Sequence, residues 1–115
     1  MRQMNLSISF ISDGKYQIDE ILFDERKKTL TYQEKEKYCS KQVLKLLTAF
    51  IHADECFLSN KEIANICGWS LDDIGLDEKR RTAIKYLRKQ LYVNETNIRI
   101  EFISVREGYH LYITG

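Results

Sequence analysis

Apolar and polar residues alternate over the first third of the chain, in short runs separated by turn residues. The runs are SISFI, YQI, ILF and TLTY, and they end near Tyr32. Alternation with a period of two predicts half-buried β-strands. Asp13-Gly14 is a strong hairpin signal, and DERKK predicts a second hairpin further on. We expect three or four antiparallel strands here, followed by a polar loop over QEKEKY.

From Ser40 onward the apolar residues recur at helical spacing. Ser40 is a suitable N-cap for a helix with a broad apolar face that ends near Ala53. The apolar positions of this helix are Val43, Leu44, Leu46, Leu47, Phe50 and Ile51. Ser59 and Glu62 form a capping-box pattern, which predicts a second, short helix. Gly68 is placed to end that helix in the left-handed conformation.

A third helix is expected after the acidic connector WSLDDIGLD. Asp77 is its expected N-cap, and the helix is expected over residues 78–92. One stripe of this helix is apolar, and we expect it to pack on the first two helices. The stripe consists of Ala83, Ile84, Leu87 and Leu91. Two further runs, NIRIEFISV and YHLYI, predict a C-terminal hairpin that turns at REG.

The pattern therefore predicts an α+β fold in one domain, residues 1–115, with an N-terminal antiparallel sheet, three helices and a C-terminal β-hairpin. We divide it into an N-terminal sheet and loop (1–39), three helices (40–92) and a hairpin wing (93–115). No apolar run approaches the roughly 18 residues that span a bilayer. The start of the chain also lacks the apolar core of a signal peptide. We therefore expect a cytoplasmic location.

The cysteines and histidines form no pattern typical of a metal or catalytic site. Cys39, Cys56 and Cys67 are odd in number and irregular in spacing, which favours reduced thiols over a disulfide framework. With His52 they offer four possible zinc ligands, but no C-x₂-C or H-x₃-H pair is present. Neither His52 nor His110 has a nucleophile or carboxylate partner in a catalytic arrangement. We expect no metal, no cofactor and no enzymatic activity.

Positive charge is concentrated in one window of a nearly neutral chain. The chain has 18 basic and 17 acidic residues, and six of the basic ones lie between Lys79 and Lys89, where no residue is acidic. On the third helix the outward positions are Arg81, Thr82, Lys85, Tyr86 and Lys89. Three of these form a row of like charges, and like-charge pairs at this spacing destabilise a helix by about 0.2–0.5 kcal/mol each. An anionic partner explains such a row better than a solvated surface does.

A short capped helix, a loop and a cationic helix follow one another in the order of a helix-turn-helix, and the hairpin behind them would supply a wing. In these segments the chain resembles the winged-helix DNA-binding domains of the OmpR/PhoB type, including the ToxR/CadC branch of membrane-tethered regulators. The segments are SKQVLKLLTAF, LSNKEIANICGW, YLRKQL and ISVREGYHLY. The matching residues include Leu58, Ser59, Glu62, Ile63, Trp69, Val105, Gly108, Tyr109 and Leu111.

The resemblance implies sequence-specific binding of double-stranded DNA in transcriptional regulation, with helix 78–92 in the major groove. The DNA-contacting residues that it implies are Lys79, Arg81, Thr82, Lys85, Tyr86, Arg88 and Lys89 on the helix, and Arg106 on the wing. It also implies that loop 70–77 touches RNA polymerase, although a plain connector is an equal alternative. In the ToxR/CadC branch this cytoplasmic domain precedes a membrane segment, so a dimer or membrane-tethered assembly partner is implied as well.

A second hypothesis remains open beside DNA binding. The net charge is only +1, and the hairpin turn is one residue shorter than is usual in the resembled family. Both features suit a winged-helix interaction module whose basic face docks an acidic protein.

Overall fold

The computed structural model describes residues 8–115, which form two antiparallel sheets and three α-helices. The strands are β1 (Ile8–Ser12), β2 (Lys15–Ile18), β3 (Ile21–Asp24), β4 (Thr29–Tyr32), β5 (Lys35–Tyr38), β6 (Phe57–Ser59), β7 (Ile98–Ile103) and β8 (Gly108–Ile113). The helices are α1 (Lys41–His52), α2 (Asn60–Cys67) and α3 (Leu76–Gln90). The predicted α+β class and the order of its parts are confirmed. Ser7, the first residue of the predicted SISFI strand, lies outside the described residues.

The N-terminal sheet is a five-stranded meander, with the order β1-β2-β3-β4-β5. Both predicted hairpins are present, and Gly14 in the first turn has φ +78°, a conformation that favours glycine. The polar segment QEKEKY was expected to be a loop, and this was wrong. Gln33 and Glu34 form a tight turn with positive φ angles of 52° and 67°, and β5 then pairs with β4. An edge strand whose side chains mostly face water has no apolar period, so the pattern could not show it.

The second sheet has the order β6-β8-β7. The C-terminal hairpin of β7 and β8 is confirmed, whereas the three-residue strand β6 was missed because it is too short to show a period. Strand β6 runs directly into α2 and pairs with β8 through Leu58↔Tyr109. A Cβ atom on Gly108 would lie 2.4 Å from the carbonyl oxygen of Leu58, so only glycine permits this close approach. The hairpin is thereby held against the start of α2.

The predicted caps of the first two helices are confirmed. The Ser40 hydroxyl accepts a hydrogen bond from the backbone amide of Val43, at 3.2 Å. Ser59 and Glu62 form both bonds of the capping box, and Gly68 ends α2 with φ +77°. These local signals need only neighbouring residues, which explains why the sequence shows them.

The bounds of α3 differ from the expected range 78–92. The helix begins at Leu76 and ends at Gln90, and its N-cap is Gly75 with φ +76°, so the prediction of Asp77 as the N-cap was wrong. Asp77 instead lies in the first helical turn. Tyr92, beyond the helix, has φ +52° and stacks on Tyr32 with the ring centroids 4.5 Å apart. This stacking ties the end of α3 to the N-terminal sheet.

One hydrophobic core joins the two sheets and the three helices. The predicted apolar stripe of α3 lies in it, since Ala83, Ile84, Leu87 and Leu91 are all buried. From α1 the core receives Val43, Leu46, Leu47 and Phe50. Because the stripe occupies one side of α3, the opposite side faces solvent.

We predict that Leu87→Ala lowers the free energy of unfolding by about 2–5 kcal/mol, because it leaves a cavity in the core. Leu87 is fully buried. The control is Lys89→Ala on the exposed side of the same helix, which should change stability by less than about 0.5 kcal/mol. Chemical denaturation measures both variants. If both variants change the free energy of unfolding by the same small amount, α3 does not pack on the core through this stripe.

Candidate nucleic-acid interface

The outward face of α3 carries the residues that were predicted to lie there. All five are exposed: Arg81, Thr82, Lys85, Tyr86 and Lys89. A shallow groove separates this face from the C-terminal hairpin, and Lys85 and Arg88 on the helix line it together with Phe102 of β7. A second depression at the end of the helix lies beside Tyr86 and Lys89. The outward face of α3 and the hairpin thus border the same groove.

Three of the six cations in the basic window have acidic partners, which the sequence analysis did not anticipate. The partners precede the window in the α2–α3 loop and the first turn of α3. The pairs are Lys79–Asp73 at 3.2 Å, Arg80–Asp77, and Arg81–Glu78 at 3.2 Å. The first half of the basic window is therefore close to electrically neutral, and the window presents less free charge than its composition indicates.

The free positive charge lies in the second half of α3. Lys85 and Lys89 have no ion-pair partner among residues 8–115. They stand one helical turn apart on the exposed side, with Tyr86 beside them at 43% exposure. This arrangement offers two cations and a hydroxyl to an anionic surface.

Arg88 belongs to the implied DNA-contacting set, but its guanidinium lies against β7. Nε and Nη2 both donate to the backbone carbonyl of Ile100, at 3.1 and 2.5 Å. The side chain is half-buried between α3 and the hairpin. In this position Arg88 joins the helix to the second sheet, so the direction in which α3 faces depends partly on it.

Arg106 lies in the hairpin turn, as expected, and its side chain is turned back toward β6. The guanidinium lies over the Phe57 ring, 3.9 Å from its centroid, and pairs with Glu55 at 3.4 Å. Val105 in this turn is 90% exposed. Glu107, which follows Arg106, accepts a hydrogen bond from the Asn60 amide through its carbonyl oxygen, at 2.8 Å. The turn is thus fixed beside the start of α2.

The loop between α2 and α3 is held by its own hydrogen bonds. The amide of Ser70 donates to the Asp73 carboxylate, and the amide of Asp72 donates to the Ser70 hydroxyl, each at 3.1 Å. Leu71 and Ile74 project from this loop at 58% and 97% exposure. The sequence pattern shows the acidic character of the loop but not this exposed apolar pair, because exposure cannot be read from a segment without a period.

The three cysteines and His110 are held in their neutral forms, and no cluster of metal-binding side chains forms in the described part of the chain. Burial raises the pKa of the Cys39, Cys56 and Cys67 thiols, which keeps them protonated near neutral pH. Burial, the larger cause, and the positive charge of Arg106, the smaller one, lower the pKa of His110. Its ring is therefore also uncharged near neutral pH. Across residues 8–115, no three His, Cys, Asp or Glu side chains are grouped closely enough to hold a metal ion.

Comparison with protein-family models gives no match for this chain, and comparison with curated proteins gives no significant match. The likeness to OmpR/PhoB-type domains therefore rests on the segments quoted above and on the order of the elements. No helix within residues 8–115 is both long enough and apolar enough to cross a membrane.

We predict that Arg88→Ala lowers the free energy of unfolding by about 1–3 kcal/mol, because the Ile100 carbonyl loses its charged donor. The control is Lys85→Ala, three residues earlier on the same helix, which should change stability by less than about 0.5 kcal/mol. Thermal and chemical denaturation of the two variants measure the difference. An Arg88→Ala domain as stable as the wild type would show that the contact with β7 contributes nothing to stability.

Proposed function

We propose that this domain binds double-stranded DNA in a sequence-specific manner to regulate transcription, with α3 in the major groove. One observation carries the proposal: α3 presents Lys85 and Lys89, which have no ion-pair partner within the described residues 8–115, on the side opposite its buried stripe. Basic side chains on one face of an exposed helix are the usual means of neutralising DNA phosphates. The short helix α2 before it and the hairpin beside it match the helix-turn-helix arrangement with a wing.

The residues on this face divide by chemistry into two groups. Lys85 and Lys89 are suited to phosphates, since an ammonium group is a compact charge without an acceptor. Arg81 and Thr82 lie in the first half of the helix, the part that meets base edges in helix-turn-helix proteins. Arg106 would reach the backbone or the minor groove only after leaving Glu55. Arg88 would contribute to DNA binding indirectly, because its hydrogen bonds to Ile100 hold α3 against β7.

We further propose that the domain is of the OmpR/PhoB type, within the ToxR/CadC branch, and acts in the cytoplasm. The N-terminal sheet, the three helices and the C-terminal hairpin support this proposal through their order. Loop 70–77 would be the contact with RNA polymerase, and the exposed Leu71 and Ile74 supply apolar surface for it. A dimer or membrane-tethered partner would hold two domains on neighbouring half-sites and raise their effective concentration.

An interaction module for an acidic protein is the second candidate function. The observation that favours it is the pairing of Lys79, Arg80 and Arg81 with acids, which leaves a small cationic patch in place of a long one. The hairpin turn is also short, a single 3₁₀ turn over Ser104–Arg106. A small patch can bind a few carboxylates without the extended phosphate contacts of a duplex.

We predict that the affinity for duplex DNA falls as the salt concentration rises. A plot of the logarithm of affinity against the logarithm of salt concentration should have a slope of about −2 to −4, given about −0.9 per phosphate contact. Lys85→Glu should weaken binding at least tenfold at low salt without altering the melting temperature, because it places an anion among phosphates. Lys15→Glu is the control, since Lys15 is an exposed lysine of β2 in the N-terminal sheet and does not belong to α3 or the hairpin. Fluorescence anisotropy with a random duplex and a selected duplex measures the affinities.

The outcomes separate the two candidate functions. Weaker binding by Lys85→Glu and a preference for the selected duplex together would support DNA reading by α3. A salt-dependent affinity without any sequence preference favours the interaction module. If the folded wild type binds no duplex at low salt, DNA binding by this domain is excluded.

A further inference from the structure

A carboxylate stands on the proposed DNA-facing side of α3. Glu78 precedes Lys85 by seven residues and Lys89 by eleven, so the three side chains project from nearly the same side of the helix. The Glu78 side chain is 76% exposed. An anion here repels phosphates and weakens unspecific binding. It therefore opposes the electrostatic attraction that the two lysines supply, unless it makes a favourable contact within the groove.

Glu78 is paired with another outward residue of the same helix. Its Oε1 atom lies 3.2 Å from Nη2 of Arg81, whose side chain is 64% exposed. The neighbouring pair, Asp77 and Arg80, differs because the Arg80 side chain is only 11% exposed and turns toward the protein. Of the two ion pairs, Glu78–Arg81 is therefore the one whose acceptor and donor groups are both exposed to solvent.

We propose that Glu78 and Arg81 together read one G·C base pair in the major groove. This inference rests on the proposed function. Guanine offers two adjacent acceptors, N7 and O6, which match the fork of an arginine, and cytosine offers its N4 amino group to a carboxylate. An A·T pair fits less well, because the adenine N6 donor stands beside its N7 acceptor, where the arginine fork would need a second acceptor.

The ion pair also prepares the two side chains for this contact. Each holds the other on the outward side of the first turns of α3, the part of a reading helix that approaches base edges. A carboxylate finds no donor on the DNA backbone, whereas the base edges supply amino groups. A favourable contact for Glu78 is therefore available only at particular bases. Glu78 would then increase the sequence specificity of binding and lower the overall affinity for DNA.

The test is selection of binding sites from random duplexes, read by sequencing, for the wild type, Glu78→Ala and Arg81→Ala. We expect the wild type to prefer G·C at one position roughly tenfold, the scale of a good base contact. Both variants should lose that preference at the same position and keep the others. Glu78→Gln should weaken the preference for G·C without abolishing it, because the amide oxygen can still accept from cytosine N4 and Arg81 still matches guanine.

Glu20→Ala is the matched control, since it removes an exposed carboxylate from the turn between β2 and β3. It should leave every base preference unchanged. Circular dichroism melts establish that each variant is folded, and Glu78→Gln keeps the shape of the side chain if the alanine variant is unstable.

Three results would overturn the inference. If Glu78→Ala binds all duplexes more tightly with unchanged preferences, Glu78 acts only as a repulsive charge, and the proposed function still stands. If Glu78→Ala and Arg81→Ala lose preference at different positions, the two residues do not share a base pair. If the wild type selects no sequence at all, the inference and the proposed function fail together.

Discussion

The buried stripe of α3 is the constraint on which the proposed site depends. Ile84, Leu87 and Leu91 are fully enclosed by the core that also holds the two sheets. Rotating the helix about its axis would expose these side chains to water and bury Lys85 or Lys89, and both changes are strongly unfavourable. Hydrophobic packing on one side of the helix thus determines which cations face solvent on the other.

The second sheet determines how the hairpin stands relative to this helix. Gly108 lets β8 approach β6 closely, and β6 leads directly into α2. From the other side, Arg88 on α3 donates to a carbonyl oxygen of β7. The helices α2 and α3 are therefore both linked to the hairpin by short contacts, and a partner that binds α3 meets the hairpin turn at a set position.

The charge on this surface results from two opposing arrangements. At the start of α3, acids from the preceding loop and from the helix itself neutralise three of the cations. The two exposed pairs, Lys79–Asp73 and Arg81–Glu78, contribute little to stability. Further along, Lys85 and Lys89 are left without such partners in the described part of the chain. The six basic residues of the window carry a formal charge of +6 in the sequence. The two lysines that lack an acidic partner among the described residues, Lys85 and Lys89, lie one helical turn apart. A chain with a net charge of +1 thus presents a local cationic surface, because its charges are unevenly distributed.

The sequence by itself determined those features that depend on near neighbours along the chain. The caps at Ser40 and Ser59, the left-handed Gly68 and the apolar stripe of α3 all follow from side chains within a few residues of one another. The outward positions of α3 follow as well, because a helix has a known period. The α+β order of strands, helices and hairpin was predictable for the same reason.

The tertiary structure decided what depends on contacts between distant segments. Strand β5 has no apolar period and exists because β4 offers it hydrogen-bonding partners, and β6 forms only against β8. The position of Arg88 on Ile100 and of Arg106 over Phe57 requires strands that are far away in sequence. Which of the six cations remain free likewise depends on where the loop carboxylates lie. Local pattern can place a side chain on a face of a helix, but its partner is set by the folding of the whole chain.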